Sequence, residues 1–277
     1  MQVKDIALFL LADAPCDGAI ATAKRLASPA GAVSGVCLFS EPDLPLADGY
    51  AIGEVAVLEV LERRDKAVRA KVEAVGAAFR DRLTDLGEAA AWLAVDANEP
   101  ADLTALRARF ADLVVLARPE PHRPHQLAIA GNLILASGAP CVVAPPAAPD
   151  HGKFGRVLVA WDASANAKRA LDAAMDFVTA ADVVEVLIVE EHKRTLEMEW
   201  SDTLLSHLGR HGAQAKLDRR HGRPGEVGRL ILEACGRFPA DLLVMGAYAH
   251  GSGAERIFGG ATRTVLTHAE IPVLLAH

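Results

Sequence analysis

The residues best placed to do chemistry lie in the stretch "DLLVMGAYAHGSGAERIFGGATRTVL", Asp241 to Leu266. An apolar run ends at Gly246. A glycine-containing loop follows, and Gly259-Gly260 lead through Thr262 and Arg263 into a helix-like segment. A strand, a glycine loop and a helix in that order can hold a phosphate. Glycines let backbone amides approach an anion closely. The helix N-terminus adds partial positive charge, Thr262 a hydroxyl and Arg263 a full charge. The competing reading is a surface loop with a tight turn at Gly259-Gly260. His250, inside the loop, is either a phosphate contact or an exposed histidine.

The pattern is not one of the common phosphate motifs. No GxxxxGK precedes a Ser or Thr, so there is no Walker loop. "GSGAER" from Gly251 starts like GxGxxG but lacks the last glycine, and it follows a late strand of its unit, not the first. Asp162, in "VAWDAS", stands just after another apolar run. It is either an N-cap for the helix-like "SANAKRALDAAM" or, with Ser164 as the cap, a carboxylate free for a sugar hydroxyl. "HRPH" (His122, His125) has no cysteine or helical spacing to make a metal site and reads as a solvated loop. "RRHGRPGE" (Arg219–Glu226) is a basic strand end, either beside the same sheet edge or merely solvated. No GxSxG nucleophile turn and no HExxH metal helix is present. The His-x-Gly-His and Ser-Gly-Gly motifs of adenylyl-transfer folds are also missing. At most, slow hydrolysis or autophosphorylation of a bound nucleotide is compatible with this residue set.

The elements that must position these residues come as two copies of one unit. "FPADLLVMGAY" (Phe238–Tyr248) matches "RFADLVVLARP" (Arg109–Pro119), and "AEIPVLLAH" (Ala269–His277) matches "SGAPCVVAP" (Ser137–Pro145). The N-terminal copy is three residues shorter between these landmarks, in the region of the glycine loop. Further short apolar runs pair Lys4–Asp13 with Gly155–Ser164, Gly31–Ser40 with Asp182–Glu191, and Ala89–Asn98 with Ala213–Gly222. Alanine-rich helical segments separate them; one places Ala167, Ala170, Leu171, Ala174 and Phe177 on one face. Strands alternating with helices imply right-handed crossovers and a mainly parallel sheet. "PPAAPDHGKFG" (Pro145–Gly155) is the linker, with the boundary near residue 150. "EVAVLEVLERRDKAVRAKVEAVGAAFRDRL" (Glu54–Leu83) reads as a long amphipathic cover for the sheet, or as a helix for a partner.

The chain has 277 residues and a formal net charge of −7. That balance argues against a nucleic-acid polymer or an anionic membrane as partner, but not against a small anion held by backbone amides. The apolar run Ile6–Ala12 lacks a basic flank and reads as a strand, not a signal peptide. Cys16, Cys37, Cys141 and Cys235 are scattered, with Cys37 and Cys141 in strand-like runs. This points to a reducing, cytoplasmic setting.

The repeat, the strand order, "DLLVMGAY" and "PVLLAH" together resemble the universal stress protein family. That family carries Gly-x2-Gly-x9-Gly followed by Ser or Thr after its fourth strand, and its nucleotide-binding members hold ATP phosphates there. The motif falls on Gly246, Ala249, Gly259 and Gly260. Two of its four positions are therefore altered, with Thr262 two residues on. The family's aspartate on the adenine and ribose side corresponds to Asp162, and Ala160 and Ile188 would flank adenine. The resemblance implies an α/β fold of two repeated open parallel-sheet domains, Rossmann-like and close to the adenine nucleotide alpha hydrolase fold. Each domain would have five strands with helices on both faces. Residues 1–147 would be a degenerate domain, in which Gly246 becomes Ala117 and the loop reads "RPEPHRPHQLAIAG". Residues 153–277 would hold the better-preserved nucleotide loop. It further implies a cytoplasmic stress-response protein, an ATP-binding sensor with magnesium, its last strands pairing within the chain and a homodimer beyond it. The alternative is a scaffold that binds no nucleotide and acts through an unknown protein partner.

Overall fold

The computed structural model describes residues 3–39, 54–96, 101–149, 151–190, 196–223, 225–247 and 259–277. Each short apolar run becomes a strand. The first half holds β1 (Asp5–Leu11), β2 (Ala32–Phe39), β3 (Ala90–Asp96), β4 (Leu113–Ala117) and β5 (Cys141–Ala144). The second holds β6 (Arg156–Ala160), β7 (Val183–Glu190), β8 (Ala215–His221), β9 (Leu242–Gly246) and β10 (Val273–Ala276). The helices are α1 (Asp17–Leu26), α2 (Glu54–Arg82), α3 (Ala101–Ala108), α4 (Pro124–Ala136), α5 (Ala165–Ala173), α6 (Met175–Ala180), α7 (Leu196–Arg210), α8 (Val227–Arg237) and α9 (Gly260–His268).

The strands form one ten-stranded sheet in the order β3-β2-β1-β4-β5-β10-β9-β6-β7-β8. All neighbours are parallel except β5 and β10, which pair antiparallel with Leu274 opposite Val142. Helices cover both faces, as a mostly parallel sheet requires. Leu8, Val142 and Leu274 face α1, α2, α5, α6 and α7, while Phe9, Val143 and Leu275 face α3, α4, α8 and α9. Each core therefore runs without a break across both halves.

Burial explains the cysteines. Cys37, Cys141 and Cys235 are free thiols inside these cores, and burial pushes each up to about 12. They pack as small apolar groups, not as reactive ones.

The helical segment after Ser164 differs from its sequence reading. It breaks at Ala174 (φ −88°, ψ −1°) into α5 and α6. Val178 joins Ala170, Leu171 and Ala174 in the core, and Phe177 packs against the same core, edge-on to Phe154 with ring centroids 5.6 Å apart. Phe154 belongs to the connecting segment, which is clamped to the first half. Arg25 stacks over its ring at 3.8 Å and donates to the carbonyls of Gly152 and Lys153. Gly18 is needed there, because a Cβ at that position would lie 1.9 Å from the Pro145 carbonyl oxygen.

Shared cores and a shared seam should make the two halves unfold together. Urea denaturation followed by circular dichroism and by tryptophan fluorescence should give coincident, single transitions. Leu274→Ala, at the seam, should lower stability by about 2–5 kcal/mol without splitting the transition.

Candidate functional site

In an open α/β sheet, a crevice forms at the carboxyl ends of strands where neighbouring connections leave in opposite directions. In the second half that point is the end of β6, between β7 and β9. Ala160 stands there, abreast of Leu187 on β7 and Met245 on β9. The chain then turns sharply. The Trp161 amide donates to the Leu187 carbonyl at 2.9 Å, Asp162 is exposed, and Ala163 adopts a left-handed φ of 59°. Ser164 caps α5 by accepting from the Ala167 amide at 3.1 Å. Asp162 is therefore not the cap. Its Oδ1 accepts from the Ser164 amide at 2.9 Å, which fixes the carboxylate at the mouth of the crevice.

Gly246 closes β9 against the start of α5. A Cβ on it would lie 2.5 Å from the Ala167 nitrogen, so the close approach of the two backbones requires glycine. Asn166 reinforces this junction by donating to the Ala247 carbonyl at 2.6 Å. Ala249 and His250, which the sequence reading set in the glycine loop, lie outside the described residues.

The chain returns at Gly259, the N-cap of α9, whose φ of −61° and ψ of 146° any residue can adopt. Among the described residues, no side-chain hydrogen bond caps this helix. Among the described residues, no heavy atom lies within 4 Å of a Cβ built on Gly259 or Gly260. Neither backbone conformation nor packing by the described residues accounts for these two glycines. Among those residues nothing fills the space in front of them, and the first amides of α9 lie beside them.

These pieces enclose a cleft of about 290 Å³, near the lower end of the size range of small-molecule sites, about 300–1,000 Å³. Leu187, Val189, Val227, Ile231 and Met245 form an apolar floor and wall. Trp161 and Asp162 form one rim, and Gly246, Gly259, Gly260, Ala261 and Thr262 the other. The arrangement offers an apolar slot for a flat ring, a carboxylate for hydroxyls, and a helix N-terminus for an anion.

The structure thus brings together Ala160, Asp162, Gly246, Gly259, Gly260 and Thr262. Thr262 is only 4% exposed and already holds an interaction within the protein. Two expected site residues lie elsewhere. Ile188 is 6% exposed and faces the opposite core, because alternation along β7 sends Leu187 and Val189 into the cleft instead. Arg263 is exposed and does not line the cleft. Strand parity was the signal that would have selected Val189. Val227 and Ile231 reach the site only through packing of α8, which no local pattern specifies. The basic end of β8 is engaged elsewhere: Arg219 and His221 pair with Glu190, and Arg220 with Asp218.

The first half treats the equivalent position differently. Asp13 follows β1 as Asp162 follows β6. Three side chains at the start of α4 reach it: Arg123 Nη1 at 3.3 Å, His125 Nε2 at 3.1 Å and Gln126 Nε2 at 3.3 Å. Gln126 is buried, and its Oε1 accepts from the Glu120 amide at 2.9 Å. The protein's own side chains thus occupy the carboxylate that would face a ligand. "HRPH" contributes to this internal plug.

The sequence model of the universal stress protein family matches residues 153–277. Residues 153–277 therefore carry a universal stress protein domain. No curated protein matches the chain. Solved structures share the whole architecture. A universal stress protein from Archaeoglobus fulgidus superposes with a TM-score of 0.68 at 18% identity, covering 99% of this chain and 96% of that one. A protein from Pseudomonas aeruginosa described as a universal stress protein gives 0.60 at 14% identity, with 99% and 93% covered. The cytoplasmic domain of a prokaryotic cation chloride cotransporter gives 0.50 at 12% identity, with 100% and 96% covered. At these identities the likeness is one of fold. Among the described residues, no helix is long and apolar enough to cross a membrane.

The two kinds of glycine can be told apart by stability. Gly246→Ala should cost about 1–3 kcal/mol through overpacking, whereas Gly259→Ala should stay within about 0.5 kcal/mol of wild type. Denaturant midpoints for the two variants would check this, and equal losses would contradict it.

Proposed function

We propose that the C-terminal half binds an adenine nucleotide, ATP entering with magnesium, and that the protein is a nucleotide-responsive member of its family. The observation that carries this reading is Gly259-Gly260. Among the described residues these two glycines are demanded neither by φ nor by packing, and no side chain caps the α9 N-terminus where they line the cleft. The base would lie against Leu187, Val189 and Ile231, with Asp162 accepting from ribose hydroxyls and the α9 amides holding phosphate. Among the described residues no group of three or more His, Cys, Asp or Glu could hold a metal, so magnesium would be carried by the nucleotide's own phosphates. Nucleotide binding would adjust a contact with a protein partner, in a soluble, cytoplasmic setting.

The first half, with Asp13 held by Arg123, His125 and Gln126, would be a degenerate tandem copy that takes no nucleotide. The boundary between the copies would fall between residues 147 and 153.

Calorimetric titration with ATP and magnesium tests the reading. One nucleotide per chain is expected. Nucleotide at about a hundred times Kd should add about 2.7 kcal/mol of stability. Gly259→Val should remove binding with the thermal midpoint unchanged, and Asp162→Ala should weaken it about tenfold by deleting one charged hydrogen bond. Absence of both heat and stabilisation would favour a scaffold that acts without nucleotide. Unchanged affinity in Gly259→Val would overturn the siting.

A further inference from the structure

The two outer edges of the sheet are built from opposite chemistry. β8, at one end, carries Lys216, Asp218, Arg219, Arg220 and His221 in its seven residues. β3, at the other, reads "AAWLAVD", with Asp96 its one charge. On β8, Asp218 is bound by Arg220 at 2.9 Å and by Arg237 at 2.6 Å, and Arg237 reaches on to Glu185 at 3.0 Å. By strand register, Leu93, Val95 and Ser34 stand at the positions of Asp218, Arg220 and Glu185, and the repeat sets Ala108 at that of Arg237. The charged network of one edge thus has no charged counterpart on the other. Leu93 is 48% exposed, with Ala91 and Ala94 exposed beside it. The helix leaving this strand adds to the apolar surface: Leu103 is 44% exposed, Leu106 41%, and Phe110, just beyond α3, 84%.

An open edge strand presents unpaired backbone N–H and C=O groups, and charges, bulges or cover normally protect it. β8 has such charges. β3 has none before Asp96 and pairs with β2 through all seven of its residues, without a bulge. The occupant that fits is a second copy of the same strand, because self-pairing about a two-fold axis opposes no like charges. With Leu93 on the axis, Trp92 meets Ala94, Ala91 meets Val95, and Ala90 meets Asp96. The same construction on β8 would set Asp218 against Asp218 and Lys216 against Arg220, which is unfavourable.

We infer that two copies of this chain associate through β3, antiparallel and isologous, joining their sheets into one. Such a contact is self-complementary and closes as a dimer. It leaves β8 as the charged outer edge of the assembly, which stops further growth.

Sedimentation velocity and light scattering on the full chain at tens of micromolar test this. The expected species is a dimer, twice 29.2 kDa. Leu93→Lys sets two ammonium groups against each other on the axis and should weaken the dimer about tenfold or more. Leu93→Glu should do the same. Mixing the two variants should restore a dimer, because lysine then meets glutamate. Lys216→Glu, on the opposite edge, should leave the dimer unchanged. Circular dichroism should show both Leu93 variants folded, as the site is half exposed. A monomeric wild type would overturn the proposal and would mean that the edge is covered from within the chain or by another protein. A dimer insensitive to both Leu93 variants would overturn it equally, by placing the contact elsewhere.

Discussion

The antiparallel pairing of β5 with β10 is the constraint from which the rest of the structure follows. Each half is an open parallel sheet, and an open sheet has two edges to protect. The seam removes one edge from each half by joining Cys141–Ala144 to Val273–Ala276, all buried. It also decides where the two sites go. Strands within a half are parallel, but the halves run against each other across the seam. The carboxyl ends of β6 and β9 therefore point to one end of the sheet, and those of β1 and β4 to the other. The cleft and the plugged Asp13 position lie at opposite ends of one rigid layer. α9 links them: its N-terminus faces the cleft, and Arg118, just after β4, donates to the Ala269 carbonyl at its C-cap at 2.9 Å. A guanidinium at a helix C-terminus also suits the helix dipole.

One unit used twice shows how little change separates a ligand site from a filled one. Both copies keep the aspartate after the first strand and a helix after the fourth. In the second copy, that helix starts with Gly259-Gly260 and leaves space. In the first, α4 starts at Pro124, ahead of Leu127-Ala128 where the glycine pair falls by sequence, and the extra turn carries side chains onto Asp13. A partly buried carboxylate facing no ligand would lose some of its hydration without gaining partners, which is unfavourable. Arg123, His125 and Gln126 supply those partners. The same divergence recurs at the sheet edges, where Asp218 and its arginines correspond to Leu93 and its apolar neighbours.

Much of this was legible from sequence, for a physical reason. Strands buried on both faces read as continuous apolar runs, and the repeat fixes their order twice. Gly246 was found because a close backbone approach demands glycine, whereas Gly259 was found from the order of strand, glycine loop and helix, and Asp162 from the family resemblance. What was not legible depends on phase and on tertiary packing. Ile188 and Val189 are equally apolar, and only their parity relative to Ala160 decides which faces the cleft. The break at Ala174 leaves no mark in a run of alanines. Trp161 was visible only as part of "AWD". Val227 and Ile231 line the cleft because Gly228 lets α8 approach α9, where a Cβ would sit 2.7 Å from that of Thr264.

The glycines of the loop separate what the fold needs from what a ligand needs. Gly246 would be required in a protein that bound nothing, because α5 leaves no room for a side chain there. Gly18 and Gly228 are of the same kind. Gly259 and Gly260 are of the other kind: removing either glycine costs the fold nothing that the structure shows. A residue free to carry a side chain but lacking one is explained if that space is used, and backbone amides beside it are useful only to an anion. On the proposed reading, the change from Ser or Thr to Gly260 removes one hydroxyl from the rim of the cleft and leaves the amides of the first turn in place. Binding would then rest on the backbone and on Asp162. It would be governed by access to the α9 N-terminus more than by any single side chain.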